Sequence, residues 1–172
     1  ANEFNHFFAT VGSNIQEKLN ITAEPPSLPE TGFEFKYETE DTVRKLIARI
    51  RTDVATGNDS VNAKLLKDAI DTITPSITQL VNLSYETRTF PDKMKEAIVR
   101  PLFKKEDKEK PEYYRPVSIL PVVSKVFERS ATNQLMAYLE ENQLLSTTQH
   151  AYRRRHSTIT CLADLMDEIR RR

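Results

Sequence analysis

The 172-residue sequence has little of several things that would point to a protein class at once. It contains a single cysteine, Cys161, so neither a disulfide framework nor a cysteine-rich metal site is possible. No apolar run approaches the roughly 18 residues that a membrane-spanning helix needs. The formal net charge is zero, so bulk electrostatics indicates no partner. No signal peptide is visible, and we therefore expect an intracellular chain, in the cytoplasm or the nucleus, with no membrane partner.

What the sequence does contain is the composition of a globular domain. Hydrophobic residues make up 38% and charged residues 29%, which excludes a disordered chain. Residues 1–50 hold five Lys/Arg against eight Asp/Glu, whereas residues 100–129 hold eight against five. A local basic surface of this kind suits contact with nucleic acid. The sequence begins with Ala1 rather than Met and ends on three arginines within an unfinished helical pattern, which predicts a piece of a longer chain.

The region around residues 100–129 has the strongest local signals of secondary structure in the sequence. Residues 97–103 are mostly apolar and β-branched, as in a short strand, and residues 104–112 hold eight charges, which predicts a solvated turn. Residues 113–120 are again aromatic and β-branched. Pro116 among them favours an edge strand, because proline removes a ladder donor. A further proline then stands where a helix begins. The sequence therefore predicts a basic antiparallel hairpin that leads into a helix.

Helical periodicity fills most of the remaining sequence, so we expect a mostly helical α+β fold. A Phe-rich segment predicts an amphipathic lead-in helix, and three prolines within 22–31 predict a linker, which gives domains 1–34 and 35–172. Thr39 is the predicted cap of the next helix, which should stop by Gly57. The residues expected to face inward in the later helices are Val43, Leu46, Ile47, Ile50, Val61, Leu65, Leu66, Ala69, Ile70, Ile77, Leu80, Val81, Val126, Phe127, Leu135, Tyr138 and Leu139.

Three short segments are expected to begin or end helices. Gly57 is expected as a C-cap and Asp59 as the N-cap of the helix that follows. Thr74 and Pro75 predict the cap and first residue of a separate helix. Ser157 is the predicted cap of the last helix. The apolar face of that helix comprises Ile159, Leu162, Leu165, Met166 and Ile169.

Five short blocks stand in an order that carries a family resemblance. Three of them surround the predicted hairpin: Phe-Lys-Lys at 103–105, Tyr-Arg-Pro-Val-Ser at 114–118 and Ser-Lys-Val-Phe-Glu at 124–128. Residues 55–61 (Ala-Thr-Gly-Asn-Asp-Ser-Val) are similar to a Ser/Thr-Gly-Pro-Asp-Gly-Ile element, and residues 149–158 to Gln-Phe-Gly-Phe-Arg-x-Gly-x-Ser-Thr. Together they resemble the reverse transcriptases (RNA-directed DNA polymerases) of jockey-like non-long-terminal-repeat retrotransposons.

Four departures from the family pattern replace a proline or a glycine. Asn58 stands where the family has proline, and Ser60, Ala151 and Arg155 stand where it usually has glycine. If the two glycines of the block 149–158 adopt positive φ, Ala151 and Arg155 are strained there. This strain favours a decayed copy of such an element.

The resemblance implies the fingers region of a right-hand polymerase, followed by the approach to a truncated palm. A nucleoside triphosphate is polyanionic, and arginine suits bidentate phosphate contact whereas lysine acts as a point charge. By resemblance, the candidates for binding the incoming dNTP are Lys104, Lys105 and Arg115. The candidates for template or primer phosphates are Lys125, Arg153 and Arg154. Tyr152 is open to two interpretations, contact with a sugar or base and packing in a core.

Catalytic carboxylates are not assigned in this sequence. Polymerases of this kind use two cations held by palm carboxylates, Mg²⁺ in the full-length family. By resemblance, the first of those acids follows the last helix seen here. The nearby acids Asp164, Asp167 and Glu168 are predicted on a solvated helix face. We therefore expect no catalytic residue, no cofactor bound by this chain and no activity of the chain alone, so its status as an enzyme stays uncertain.

Three functions remain open at this point. The first is a fragment of a mobile element's RNA-directed DNA polymerase, with dNTP, RNA template, DNA primer and the missing palm region of the same polyprotein as partners. The second is a non-catalytic nucleic-acid-binding module. The third is a helical interaction scaffold. The ordered blocks favour the first for ancestry, whereas the unassigned carboxylates favour the second for what the chain does alone.

Overall fold

The computed structural model describes residues 2–19 and 32–171. The α+β class predicted from the sequence is confirmed, with mostly helical structure and one two-stranded sheet among these residues. The predicted linker 22–31 lies outside the described residues, so the domain boundary placed next to it stays a prediction. In chain order the elements are α1 (Asn2–Leu19), α2 (Glu40–Ala48), α3 (Ala63–Asp68), α4 (Ile70–Thr87), β1 (Ile98–Phe103), β2 (Tyr114–Ile119), α5 (Ser124–Glu141) and α6 (Thr158–Arg171).

The chain divides into two compact units, Ala1–Ala131 and Thr132–Arg172. The first unit contains every buried residue among those described. Its core combines α2, α3 and α4 with the start of α5, and consists of Val43, Leu46, Ile47, Ile50, Ala63, Leu66, Ile77, Val81, Val122, Val126 and Phe127, which are at most 7% exposed. The predicted stripe of α2 is therefore confirmed.

The ends of α2 are only partly as expected. Thr39 is the N-cap, and its Oγ1 accepts a hydrogen bond from the Thr42 backbone N–H at 3.3 Å, as predicted. The helix ends at Ala48, well before Gly57, so the prediction that Gly57 is its C-cap was wrong. Gly57 is required for another reason. A Cβ there would lie 2.6 Å from the backbone nitrogen of Pro121, so only glycine permits this close approach to the residues that lead into α5.

The N-cap of α3 also differs from the prediction. Asn62 caps this helix through its Oδ1, which accepts from the Leu65 N–H at 2.7 Å. Asp59 instead accepts from the Val61 N–H at 3.1 Å and closes a local turn. Between them, Ser60 has φ 59°, the left-handed conformation that explains glycine at this place in the family pattern.

Thr74 and Pro75 do not start a helix, so that prediction was wrong. α4 runs without a break from Ile70 to Thr87 and contains Pro75. The Thr74 hydroxyl donates to the Ile70 carbonyl at 2.6 Å, and Thr74 is itself fully buried. A threonine before a proline resembles a cap in sequence, but here it packs inside the core and the helix continues past it.

Three leucines expected to face inward are exposed: Leu65, Leu80 and Leu135. In α4 the buried face is Thr74, Ile77, Thr78 and Val81, which follow the spacing i, i+3, i+4 and i+7. Leu80 falls beside this stripe. The threonines take core positions because their hydroxyls are satisfied by carbonyls of the preceding turn, so hydrophobicity alone did not locate the face.

The predicted hairpin is confirmed. β1 and β2 are antiparallel, in a register that places Ile98 opposite Ile119 and Phe103 opposite Tyr114. Pro101 lies opposite Pro116, so the two residues without a donor face each other and each is tolerated on an edge strand. The strand bounds agree with the predicted ones to within one residue.

The second unit has no buried residue among those described. Ser157 caps α6 as predicted: its Oγ accepts from the Thr160 N–H at 3.3 Å, while the Ser157 N–H donates to Thr160 Oγ1 at 2.8 Å. The five apolar residues of the α6 face are 45–77% exposed. No helix within residues 2–19 and 32–171 has the length and apolar character to span a membrane.

Candidate nucleic-acid interface

One face of the hairpin presents two arginines. Directly opposite residues of an antiparallel pair share a face, and Arg100 lies opposite Val117 while Leu102 lies opposite Arg115. We call these four residues the cationic face. All four are exposed, and Leu102 retains 59% of its surface. The two guanidinium groups are diagonal neighbours across the strands, with apolar side chains between them.

Lys104 extends the cationic face by one position. Its backbone N–H donates to the Tyr113 carbonyl at 2.8 Å, so strand pairing continues one residue beyond β1. Side chains alternate between faces along a strand, which places Lys104 on the side of Arg100. Two of the three predicted nucleotide-binding residues, Lys104 and Arg115, are therefore on the same face.

The opposite face of the hairpin is aromatic and packs against α1. The rings of Phe103 and Tyr114 lie 5.3 Å apart, and Phe4 of α1 meets Tyr114 edge-on at 4.8 Å. The Lys108 ammonium lies 5.7 Å from the Phe103 ring centre, and the Lys108 carbonyl accepts from the Tyr114 hydroxyl at 2.9 Å. Because these contacts occupy the aromatic face, the cationic face is the one available to a ligand.

The charged turn of the hairpin is ordered by one carboxylate. Glu106 has φ 72°, and a hydrogen bond from the Tyr113 hydroxyl, followed by the bond from Lys105, holds the pKa of Glu106 below its usual range. The same contact raises the pKa of Tyr113. Lys105 Nζ lies 3.1 Å from Glu106 Oε1. The third predicted nucleotide-binding residue is thus paired within the turn rather than directed along the cationic face.

The predicted template and primer contacts are divided between the two units. Lys125 is half-buried in the first turn of α5, in the same unit as the hairpin. Arg153 and Arg154 belong to the second unit, where Arg153 Nη1 donates to the Ser146 carbonyl at 3.3 Å. Arg154 is exposed, and its carbonyl accepts from His156 Nδ1 at 2.8 Å. Their role in binding nucleic acid stays a prediction.

The block 149–158 shows where the expected strain lies. Arg155 has φ 61°, as expected for a position where the family usually has glycine, whereas Ala151 does not have positive φ. Tyr152 has φ 59° and is fully exposed. Packing of Tyr152 in a core was therefore the wrong interpretation, and contact with a sugar or base stays a prediction.

Carboxylates suited to a metal pair are not found in the described part of the chain. Within residues 2–19 and 32–171, no group of three or more His, Cys, Asp or Glu side chains is placed to hold a metal ion. Asp164, predicted as simply solvated, lies with its Oδ2 3.4 Å from His150 Nε2. Asp167 and Glu168 are exposed, as expected. The described residues therefore do not fit the two-metal chemistry of a palm.

Arg100 is the candidate that sequence reasoning missed. Arg100 and Lys104 stand four positions apart with Leu102 midway, so these three residues fall at every second position. That period of two is the signal for one face of a strand, and applied to this stretch it would have grouped Arg100 with Lys104.

Sequence comparison agrees with the resemblance found in the blocks. No protein-family model matches the chain. It is 31% identical over 159 residues to the probable RNA-directed DNA polymerase from transposon X-element of Drosophila melanogaster, which covers 90% of this chain and 16% of that protein. It is 28% identical over 159 residues to the corresponding protein from transposon BS of the same organism, which covers 91% of this chain and 17% of the relative.

These two matches extend over nearly the whole chain rather than over isolated motifs. The chain spans about a sixth of the length of either relative. The resemblance is thereby confirmed: over about 90% of its length the chain is similar to a segment of the RNA-directed DNA polymerases, or reverse transcriptases, of non-LTR retrotransposons.

Proposed function

We propose that this chain is the fingers region of a transposon reverse transcriptase and that its hairpin holds the phosphates of the incoming nucleotide and of the template-primer. The observation that carries the proposal is the cationic face. Arg100, Lys104 and Arg115 fall on one exposed side of the hairpin, while the aromatic side packs against α1. A hairpin fixed by one face is a rigid support for cations on the other.

The chemistry of this face suits phosphate groups. Guanidinium groups form bidentate, charge-assisted hydrogen bonds with phosphate oxygens, and each such bond contributes about 1.5–3 kcal/mol. Leu102 and Val117 lie between the arginines and offer apolar surface to a sugar or base. In this proposal Lys104 and Arg115 contact the triphosphate, and Lys105 contributes only when it leaves Glu106.

The remaining parts of the proposal rest on the family alone. Lys125, Arg153 and Arg154 would contact the RNA template or the DNA primer. The palm region of the same polyprotein would supply the carboxylates and the Mg²⁺ that the family uses. Because no residue of this sequence was assigned to those carboxylates, we propose that the 172 residues alone do not polymerise. Neither a helical scaffold nor a separate nucleic-acid module is favoured by any observation here.

Fluorescence anisotropy with labelled single-stranded RNA and with a primer–template tests the binding role. The double substitution Arg100→Ala with Arg115→Ala should weaken binding about tenfold or more, and it should lower the slope of log affinity against log salt by about 1.4–1.8, since each phosphate contact contributes about 0.7–0.9. Lys64→Ala on the exposed surface of α3 is the matched control and should change neither quantity. Equal behaviour of the hairpin and control variants would refute the proposal.

Primer extension tests the proposed inactivity. The purified chain is given an RNA template, a DNA primer and dNTPs in the presence of Mg²⁺ or Mn²⁺. We expect no extension, while a full-length polymerase serves as positive control. Template-dependent extension by these 172 residues would contradict the proposal and would require catalytic residues that we have not assigned.

A further inference from the structure

A groove runs along α4 on the surface of the first unit. It has a volume of about 570 Å³ and lies between α4 and residues 37–40, around the start of α2. Its lining consists of Tyr37, Glu40, Pro75, Thr78, Gln79, Asn82, Leu83 and Glu86. The residues from Pro75 to Glu86 extend along roughly 16 Å of helix, the length of about five extended residues.

The wall of the groove formed by residues 37–40 is fixed to α4 by Asn82. The Glu38 N–H donates to Asn82 Oδ1 at 2.7 Å, and Asn82 Nδ2 donates to the Glu38 carbonyl at 3.0 Å. The Glu38 carboxylate accepts from the buried Ser130 hydroxyl at 2.5 Å. Phe35 stacks on Tyr85 with ring centres 4.4 Å apart. A wall held at both its backbone and its side chains needs little reordering when a ligand binds.

The groove joins apolar surface with uncompensated negative charge. Tyr37 is 65% exposed and Leu83 is 50% exposed. Glu40 and Glu86 are both exposed, and neither forms an ion pair with another described residue. Among the described residues that line the groove there is no Lys or Arg. Such a surface repels a polyanion and attracts a cation that also carries apolar atoms.

We propose that this groove binds a polypeptide segment in which arginine or lysine side chains flank an apolar residue. The apolar residue would lie against Leu83 and Pro75. The aliphatic stems of the flanking cations would cover the remaining groove surface while their charged ends reach Glu40 and Glu86. A guanidinium also stacks favourably on an exposed tyrosine ring, which Tyr37 provides. The groove is therefore a site for a basic protein partner, separate from the cationic face.

A short peptide of defined sequence tests this proposal on the full chain. The probe is a fluorescein-labelled, end-capped Arg-Ala-Leu-Ala-Arg peptide, measured by fluorescence anisotropy at low salt. A peptide with glutamate in place of both arginines is the charge control. We expect the arginine peptide to bind and the glutamate peptide to bind at least tenfold more weakly, because both carboxylates then repel it.

Substitutions in the protein locate the binding. Glu40→Gln combined with Glu86→Gln should weaken binding of the arginine peptide about tenfold. Tyr37→Ala should weaken it about threefold. Glu141→Gln, an exposed glutamate at the end of α5, is the matched control and should leave the affinity unchanged. Circular dichroism on each variant confirms that the helices remain folded.

Three results would overturn the inference. Equal binding of the two peptides would show that charge does not select the ligand, and equal effects of the groove and control substitutions would place the binding elsewhere. Self-association that the groove substitutions abolish would make a second copy of the chain the occupant. The groove substitutions should leave RNA binding unchanged, so failure here is distinguishable from failure of the proposed hairpin function.

Discussion

Both units of the chain contain a helix with a regular apolar stripe, and the stripe is buried in the first unit but exposed in the second. In the first unit the apolar stripe of α2 is buried against α3, α4 and the start of α5. In the second unit the apolar stripe of α6 is equally regular, yet every residue in it is exposed. In α2 and α6, apolar periodicity therefore predicts the helix and the direction of its apolar face. It does not predict whether another element covers that face.

The largest expected difference between the units is in the free energy of unfolding that is lost when an apolar side chain is truncated to alanine. Phe127 is 2% exposed and meets Phe90 at 5.7 Å, so Phe127→Ala should lower the free energy of unfolding by about 3–5 kcal/mol. Leu162→Ala on α6 removes an exposed side chain and should change it by less than about 0.5 kcal/mol. Urea denaturation followed by circular dichroism measures both. Similar losses in the two variants would show that the α6 face is covered.

A pair of glycines offers a second, smaller contrast within the first unit. Gly57→Ala places a Cβ 2.6–2.8 Å from backbone atoms of Leu120 and Pro121, and backbone yields less readily than a flexible side chain. We expect a loss of about 1–3 kcal/mol in the free energy of unfolding, as for other overpacked sites.

Gly12 is the control for this prediction because nothing lies within 4 Å of its added Cβ and it occupies the interior of α1. Gly12→Ala should stabilise the helix by up to about 1 kcal/mol. The same denaturation experiment measures both variants, and a neutral Gly57→Ala would contradict the close approach of the two segments.

The helix caps permit a third comparison, with a still smaller effect. Thr39 caps α2 and Ser157 caps α6, each through a side-chain oxygen that accepts a backbone N–H at 3.3 Å. Replacing either residue by alanine should cost about 1 kcal/mol in its own helix. Thr39→Ala should lower the midpoint of global unfolding, because α2 lies in the core. Ser157→Ala should chiefly increase amide exchange at the start of α6, and hydrogen-exchange measurements distinguish the two outcomes.

Local patterns predicted the elements better than they predicted the contacts between them. The hairpin followed from β-branched residues on either side of a charged turn, and the Thr39 and Ser157 caps followed from residue type and position. Gly57 was misread because its function is contact with Pro121, 64 positions away, which no local pattern records. Pro75 was misread because tertiary packing of the residue before it decides whether the helix continues.

The candidate site was predictable to the extent that it lies on a strand. Lys104 and Arg115 were predicted from the family blocks. Arg100 was not predicted, although the alternation of side chains along β1 indicates it. The pairing of Lys105 with Glu106 required knowledge of the turn conformation, in which Glu106 has positive φ. Neither the groove nor its uncompensated carboxylates has a sequence pattern, because its walls come from segments that are brought together by Asn82.

The charged turn, residues 104–112, belongs to the first unit but, like α6, has no buried side chain. The smallest expected effect on stability is therefore in this turn. The pKa of Glu106 is held below its ordinary value of 4.5, so this contact stabilises the turn fully above that pH. The stabilisation is lost as the pH falls through the lowered pKa. The pKa of Tyr113 is raised above 10.0, so the same contact is also lost as the pH rises through that raised value.

Carbon NMR of labelled glutamate and tyrosine side chains measures this linkage directly. Glu106→Gln should return the pKa of Tyr113 toward 10.0, because the carboxylate that opposes loss of the phenolic proton is then absent. It should also release Lys105 from its ion pair and therefore strengthen RNA binding slightly, in contrast to the weakening caused by Arg115→Ala. Glu109→Gln in the same turn is the matched control and removes the same charge from a residue that does not contribute to the raised pKa of Tyr113. If both glutamine variants strengthen RNA binding equally, net charge rather than release of Lys105 controls the affinity of the hairpin.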